Sequence, residues 1–573
     1  MPLKHAISSL TPADFIEANW DDVLPFYREL VARPLSPDGM EAWLADWSRL
    51  EEVLSEAAGL AMIAYTSDTT DQVKESRHLR FSGVVIPRAD EQGVELARRL
   101  VESGYSHPDL EQVLARFRTH IEIFREANVP LMAEVEEHAA RYQKLTGGLT
   151  VQWNGGEKTI PQLQPFLQSP DREVRERAFR LGAGAYFQHR TELMDIFDVL
   201  FDLRSRIAAN AGFPNVEEYA FRSKCRFDYT PADCRRFHEA VEAVIAPAVE
   251  RLMRRRAQRM GLEKLRPWDL GADPDGRPPI RPFEDATQLT QTTSHVFERV
   301  SPACGAEFRT MMTEQLLDLD SRKGKAPGGY CETLHFRGRP FIFMNAVGVL
   351  EDVSTLLHEG GHAFHAFAAR KQPLVWQRHP GLEMCELASM SMELLASPYL
   401  DRKDGGFFDT EDYRRARIEH LEDVLLTLSH VASVDAFQSW LYTSGEGRDR
   451  EARDAAWLRI RSRFERGVDW SGLERERAAR WYRQLHIFLH PFYYIEYGLA
   501  QIGALQVWRN SMRDSAEAVR QYRSALALGA TRSLPELYQA AGAKFTFDAE
   551  IIGELASLVE SELDRLGEGT TAV

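Results

Sequence analysis

Helical periodicity runs through almost the whole of this 573-residue chain and leaves room for little else. Over residues 91–145 apolar side chains recur at three- and four-residue intervals: Leu96, Leu100 and Val101, then Leu110, Val113, Leu114, Phe117, Ile121 and Phe124. Gly104, Pro108 and Pro130 cut that stretch into three expected helices. The pattern resumes at Ser169-Pro170-Asp171, continues to about Leu262, and returns from Glu351 almost to the end. The terminal LGEGTTAV reads as a frayed tail.

Two segments break the pattern. Residues 149–160, LTVQWNGGEKTI, alternate around Asn154-Gly155-Gly156 and read as a β-hairpin. Residues 332–345, ETLHFRGRPFIFMN, hold two β-rich runs around Arg337-Gly338-Arg339. Residues 266–282 are rich in Pro and Gly and read as a connecting loop, and residues 323–330, KGKAPGGY, as a flexible one.

Composition limits the possible partners. Hydrophobic residues make up 44% and charged residues 27%, which suits a packed globular protein. The 70 Lys and Arg against 86 Asp and Glu leave a net charge of −16, which argues against nucleic acid or an anionic membrane as partner. No run approaches the roughly 20 apolar residues that span a bilayer. The opening MPLKHAISSLTPADF has no apolar core, so no secretory leader is expected. The five cysteines, Cys225, Cys234, Cys304, Cys331 and Cys385, never take CxxC spacing and suggest reduced thiols in a cytoplasmic protein.

The segment LLHEGGHAFH (residues 356–365) contains HExxH in a helical context. Residues four apart share one helix face, so the imidazoles of His358 and His362 can converge on one cation. Glu359, beside the first of them, can reach a water acidified by that cation and take its proton. Gly360 and Gly361 each cost roughly 1 kcal/mol in a helix interior, which calls for the close approach of another backbone or of substrate. A catalytic zinc needs a third protein ligand and an open position. The metzincin pattern requires Gly and His where this chain has His365 and Ala368. A glutamate 19 or 20 residues after the second histidine, as in thermolysin-like enzymes, would fall at Gly381 or Leu382. The remaining carboxylates are Glu383, Glu386 and Glu393, the last two seven apart on an expected helix and so on one face.

HEGGHAFH, followed 24 residues after its second histidine by Glu386 in CELASMSME, resembles the M3 zinc peptidases, and within them the oligoendopeptidase F branch. The resemblance implies His358, His362 and Glu386 as ligands of one Zn²⁺ per chain, and Glu359 as general base. It implies Glu393 behind a ligand histidine, with His365 a further residue of that kind. Residues 485–498, LHIFLHPFYYIEYG, look like the family's C-terminal His/Tyr cluster. Pro491 can open a helix there. Tyr493 and Tyr497 would then share a face with Tyr494 beside them, and with His486 could donate hydrogen bonds to a developing oxyanion. His486 is favoured as the histidine of that cluster, with His490 the alternative. The strand around Phe343, Met344 and Asn345 is expected to be an edge strand that pairs with an extended substrate, and the loop with Gly328, Gly329 and Tyr330 to close over it.

The expected fold is mostly α, with a small β-sheet beside the HExxH helix, and the resemblance implies two helical lobes around a deep substrate channel. Along the chain this divides into residues 1–185, an N-terminal helical lobe with the hairpin near 149–160, and residues 186–573, a catalytic helical region. The expected function is zinc-dependent hydrolysis of short, unstructured oligopeptides. A non-catalytic helical peptide-binding protein with a structural metal site, or an amidase on non-peptide substrates, are the other readings.

Overall fold

The computed structural model describes residues 6–568. Residues 569–573 of the segment expected to fray lie outside the described residues, while its start closes a helix, Ala549–Glu568. The chain is mostly helical, with two small sheets. In chain order, the elements that matter for function begin with helices α1 (Met40–Ser67) and α2 (Val129–Gly147) and strands β1 (Thr150–Trp153) and β2 (Gly156–Thr159). Helices α3 (Arg190–Asn210) and α4 (Ala286–Val300) follow, then strands β3 (Leu317–Asp320), β4 (Tyr330–Leu334) and β5 (Arg339–Ala346). The remainder is helical: α5 (Leu350–Ala369), α6 (Leu382–Ala396), α7 (Thr410–Thr443), α8 (Arg450–Phe464), α9 (Leu485–Leu489), α10 (Tyr494–Ser511) and α11 (Ser515–Ala527). No helix among the described residues is long and apolar enough to cross a membrane.

The chain forms two compact units, each assembled from three separate segments. The first unit comprises Met1–Glu122, Ile280–Ala416 and Ala500–Phe545. Its core holds an aromatic cluster in which Trp47 stacks on Phe117 (5.2 Å) and meets Trp376 (4.4 Å). Its three-stranded sheet has the order β3-β5-β4, with β3 parallel and β4 antiparallel to β5. The strand expected at the edge is therefore the central one. Its alternation supplied only half the pairing. The missing partner is β3, whose Leu-Asp-Leu-Asp is only four residues long and half aspartate, a residue depleted in strands. Phe343 and Met344 are buried in the core, and β4 forms one edge.

The loop expected to be flexible is tied down by one lysine. Lys325 Nζ donates to the carbonyls of Asp318 (2.9 Å), Asp320 (2.8 Å) and Met344 (2.6 Å) and to Asp318 Oδ1 (2.9 Å). Its ammonium also lies 4.4 Å from the centre of the Phe343 ring. Asn345 Nδ2 donates to the carbonyls of Ala326 and Gly328, and the Tyr330 hydroxyl meets Thr66 Oγ1 at 2.6 Å. Composition indicates turns here; it cannot indicate that a buried ammonium collects their carbonyls.

The second unit comprises Ile123–Pro279, Arg417–Leu499 and Thr546–Val573. Strands β1 and β2 form the expected hairpin, with Thr150 opposite Thr159 and Trp153 opposite Gly156. Asn154 and Gly155 both take positive φ (51° and 81°), as a two-residue hairpin turn requires. The Pro/Gly-rich loop is anchored by Asp269, fully buried, which accepts from Arg172 and Arg175. In the core, Tyr142 stacks on Phe488 (4.0 Å), and Phe197 meets both Trp481 and Phe488 edge-on.

Candidate active site

In the first unit, α5 follows β5 after a three-residue turn, and one carboxylate fixes that turn. Asp352 Oδ2 accepts from the backbone N–H groups of Val347, Gly348 and Val349 at 2.8–2.9 Å. It satisfies donors that have no partner inside the helix and places negative charge at its positive end. The HExxH segment thus leaves the sheet in a fixed direction.

Helix α6 packs on α5 at Gly361, and α4 packs on α5 at Gly360. A Cβ at Gly361 would stand 2.5 Å from Ser389 Cα and 2.6 Å from the Ala388 carbonyl, so only glycine lets these backbones meet. A Cβ at Gly360 would strike the Phe297 ring of α4 at 2.4 Å. The second helix is held from behind by the Tyr522 hydroxyl on α11, which donates to the Ala388 carbonyl (2.8 Å).

This contact brings together the two histidines singled out by spacing and the glutamate that the resemblance implies. One ligand atom each of His358, His362 and Glu386 falls within 4.8 Å of the other two, the only such group among the described residues. His358 Nε2 and His362 Nε2 lie 3.4 and 3.8 Å from Glu386 Oε2. Ligands about 2.0–2.1 Å from a tetrahedral zinc stand roughly 3.3 Å apart, close to the two distances from Glu386, so the donor set suits that ion. Glu393 Oε1 lies 2.7 Å from His358 Nδ1, and Ser389 Oγ donates to Glu386 Oε2 (3.2 Å). Glu383, the remaining carboxylate of α6, is buried outside this group.

The electrostatics suit a cation. Burial opposes charge on His358, yet its hydrogen bonds with Glu386 and Glu393 hold its imidazole well above the usual histidine range. Burial pushes His362 down to about 4 and His365 down to about 3. It pushes Glu359 up to about 7, against the pull of His358. His365 is buried one turn beyond His362, and its Nε2 has no hydrogen-bond partner.

Strand β4 adds two groups that spacing did not reveal. Burial raises the Cys331 thiol, with the charges of Glu359 and Glu332 adding to it, and pushes Glu332 itself up to about 7. A carboxylate within a β-rich run was the available signal for Glu332. Of the loop residues, Gly328 and Gly329 are exposed, a Cβ at Gly329 would meet the Phe343 carbonyl at 3.4 Å, and Tyr330 stacks on Phe343 (4.9 Å).

In the second unit, His486 on α9 sits among three tyrosines. Its ring centre is 4.8 Å from Tyr494, 5.5 Å from Tyr493 and 6.1 Å from Tyr497. Tyr493 and Tyr497 lie 5.0 Å apart. Of the three, only Tyr493 has a ring contact with His490, at 6.5 Å. Helix α10 begins at Tyr494, not at Pro491, because Phe492 takes φ 61° and so cannot continue a helix. That strained turn is held by Gln438 Oε1, which accepts from the Phe492 N–H (2.7 Å), and by Arg226, which donates to its carbonyl.

A mostly helical protein in which two histidines of an HExxH helix meet a glutamate of the following helix is the class that fold and site define. The chain belongs to peptidase family M3, whose model matches residues 166–557. It is similar to PZ peptidase A, solved with an inhibitor, at 29% identity and a TM-score of 0.88 over 98% of this chain and 99% of that one. Oligoendopeptidase-F from Enterococcus faecium shares the fold at 15% identity and a TM-score of 0.63, over 96% and 97%. Oligopeptidase PepF of Bacillus subtilis (strain 168) is 22% identical over 428 residues, which span 72% of this chain and 61% of PepF.

Proposed function

We propose that this protein is a zinc-dependent oligopeptidase that hydrolyses short, unstructured peptides in the cytoplasm. The observation that carries the reading is the convergence of His358, His362 and Glu386 beside Glu359 in a chain of family M3. Its similarity to oligopeptidase PepF supports the substrate class. Zinc held by the two imidazoles and Glu386 would supply Lewis acidity, polarising the scissile carbonyl and making water a nucleophile at neutral pH.

The chain's own residues perform the rest. Glu393 accepts from His358 Nδ1–H, which fixes the tautomer and leaves the Nε2 lone pair for the cation. Ser389 orients Glu386 in the same way. Glu359 takes a proton from the attacking water and passes it to the leaving amine. Burial suits it to this work, because a carboxyl raised to about 7 both accepts and releases a proton near neutrality. Tyr494, with His486, Tyr493 and Tyr497 around it, donates to the negative charge developing on the scissile carbonyl oxygen. Gly328 and Gly329 form the part of the loop that faces substrate, and the edge strand β4, not β5, is the strand an extended peptide would pair with.

The reading is tested by metal analysis and peptide digestion of the Glu386→Ala and Glu383→Ala proteins. Glu386→Ala is expected to lose zinc and turnover together, and Glu383→Ala to keep its zinc. Equal zinc retention in both would place the third ligand elsewhere.

A further inference from the structure

Tyr494 ends a hydrogen-bonded series that lies wholly within the second unit. Arg461 Nη1, on α8, donates to His430 Nδ1 on α7 at 2.8 Å. His430 Nε2 lies 3.1 Å from Gln484 Oε1, and Gln484 Nε2 lies 2.5 Å from the Tyr494 hydroxyl. The His430 ring also meets the Tyr494 ring edge-on, 5.5 Å between centres. Behind the series, Arg461 Nη2 donates to Glu465 Oε1 (2.8 Å), and Glu465 is also held by Arg477 and Arg480.

The direction of every bond is fixed by what each group can do. A guanidinium carries donors only, so His430 Nδ1 must present its lone pair to Arg461. The neutral imidazole then carries its proton on Nε2 and needs an acceptor there, which only the carbonyl oxygen of Gln484 provides. Turning the amide over would set two donors against each other at 3.1 Å. The Gln484 NH₂ group therefore faces Tyr494, and the phenol oxygen receives its hydrogen bond. With that oxygen already accepting, the phenol's own hydrogen is left for an acceptor outside the series.

We propose that Gln484, oriented by Arg461 through His430, is a positioning residue that presets Tyr494 as a hydrogen-bond donor to the reacting carbonyl of the substrate. This rests on the role given to Tyr494 above and deepens it. A donor that already points outward needs no reorganisation when charge develops on the carbonyl oxygen, so its hydrogen bond is available in the transition state at once. Burial raises the Tyr494 phenol while its hydrogen bond with Gln484 and the charge of Arg461 draw it back, and the group keeps its proton at neutral pH. Burial, Arg461 and Arg480 together hold His430 well below the usual histidine range, in keeping with its neutral state.

The experiment replaces the donor by an acceptor of the same shape. In Gln484→Glu the carboxylate accepts from both His430 and Tyr494 and draws the phenol hydrogen inward. We expect kcat for an internally quenched peptide to fall by about 10²-fold with KM little changed, the size of effect seen on loss of one oxyanion donor. The double variant with Tyr494→Phe is expected to be no slower than Tyr494→Phe alone, and zinc content to match wild type. With 3-fluorotyrosine at position 494, the fluorine resonance should titrate at higher pH in Gln484→Glu than in the parent. If Gln484→Glu unfolds, Gln484→Met, which removes the donor and adds no acceptor, is expected to lower kcat severalfold. Wild-type kcat in a folded Gln484→Glu or Gln484→Met protein, alongside a slow Tyr494→Phe, overturns the positioning role and leaves the proposed function standing. Wild-type kcat in Tyr494→Phe removes the donor role itself, and the inference with it.

Discussion

The proposed function gives two carboxylates about the HExxH helix different work, and substitution separates them. Glu359 is not among the three side chains that converge, so Glu359→Gln is expected to keep its zinc and to lose about 10²–10⁴-fold in kcat. Equilibrium dialysis against zinc, alongside turnover of a quenched peptide, reads both quantities. Glu393 meets His358 Nδ1, so Glu393→Gln is expected to weaken zinc affinity by about 10–100-fold. Turnover should recover when zinc is supplied in excess. A competition titration with a chromophoric chelator measures the affinity, and unchanged affinity would mean that His358 holds its tautomer without Glu393.

At the scale of elements, the site depends on how closely two helices can lie. In Gly361→Ala the new Cβ meets backbone on α6, which cannot swing aside as a side chain can. The helices must part, and stability should fall by about 1–3 kcal/mol. Zinc affinity should fall with it, because Glu386 moves with α6. Thermal unfolding with and without zinc checks both. The loop before β4 offers a pH test. Burial pushes Asp318 up, but Arg322 and Lys325 overcome that and hold it down at about 2. A depressed carboxyl stabilises the fold above its unfolded value, about 3.9, and that contribution is lost as pH falls through 2. Lys325→Met strands four oxygens around a buried ammonium's place and is expected to cost about 3 kcal/mol at pH 7. The deficit should shrink toward pH 2, measured by urea midpoints.

These elements differ in how far they could be read in advance. The zinc helix and α6 were legible because a spacing of four or seven on a helix is a local fact, true before the chain folds. The hairpin was legible because Asn154-Gly155 states its turn outright. Strand β3 was not, because its pairing with β5 is parallel and the neighbour alone makes it a strand. Nor was the start of α10: the Phe492 turn is held by Arg226 and Gln438, both remote in the sequence. The link from Arg461 to Tyr494 joins three separate helices and a loop residue, Gln484, and nothing about any one of them foretells the others.

For the whole molecule, the expectation is a peptidase whose activity stops with a chelator and returns with zinc. A digest of peptides of graded length, read by mass spectrometry, should show cleavage of short peptides and none of a folded protein. Cleavage of the folded protein would contradict the oligopeptidase reading. The order of segments along the chain has its own consequence. The unit that bears the HExxH helix is not finished until residues 500–545 join it, and Tyr522, which holds α6, lies among them. During synthesis on the ribosome, His358, His362 and Glu386 emerge well before the support that sets their spacing. A nascent chain should therefore hold these three side chains unassembled until residues 500–545 have followed them out.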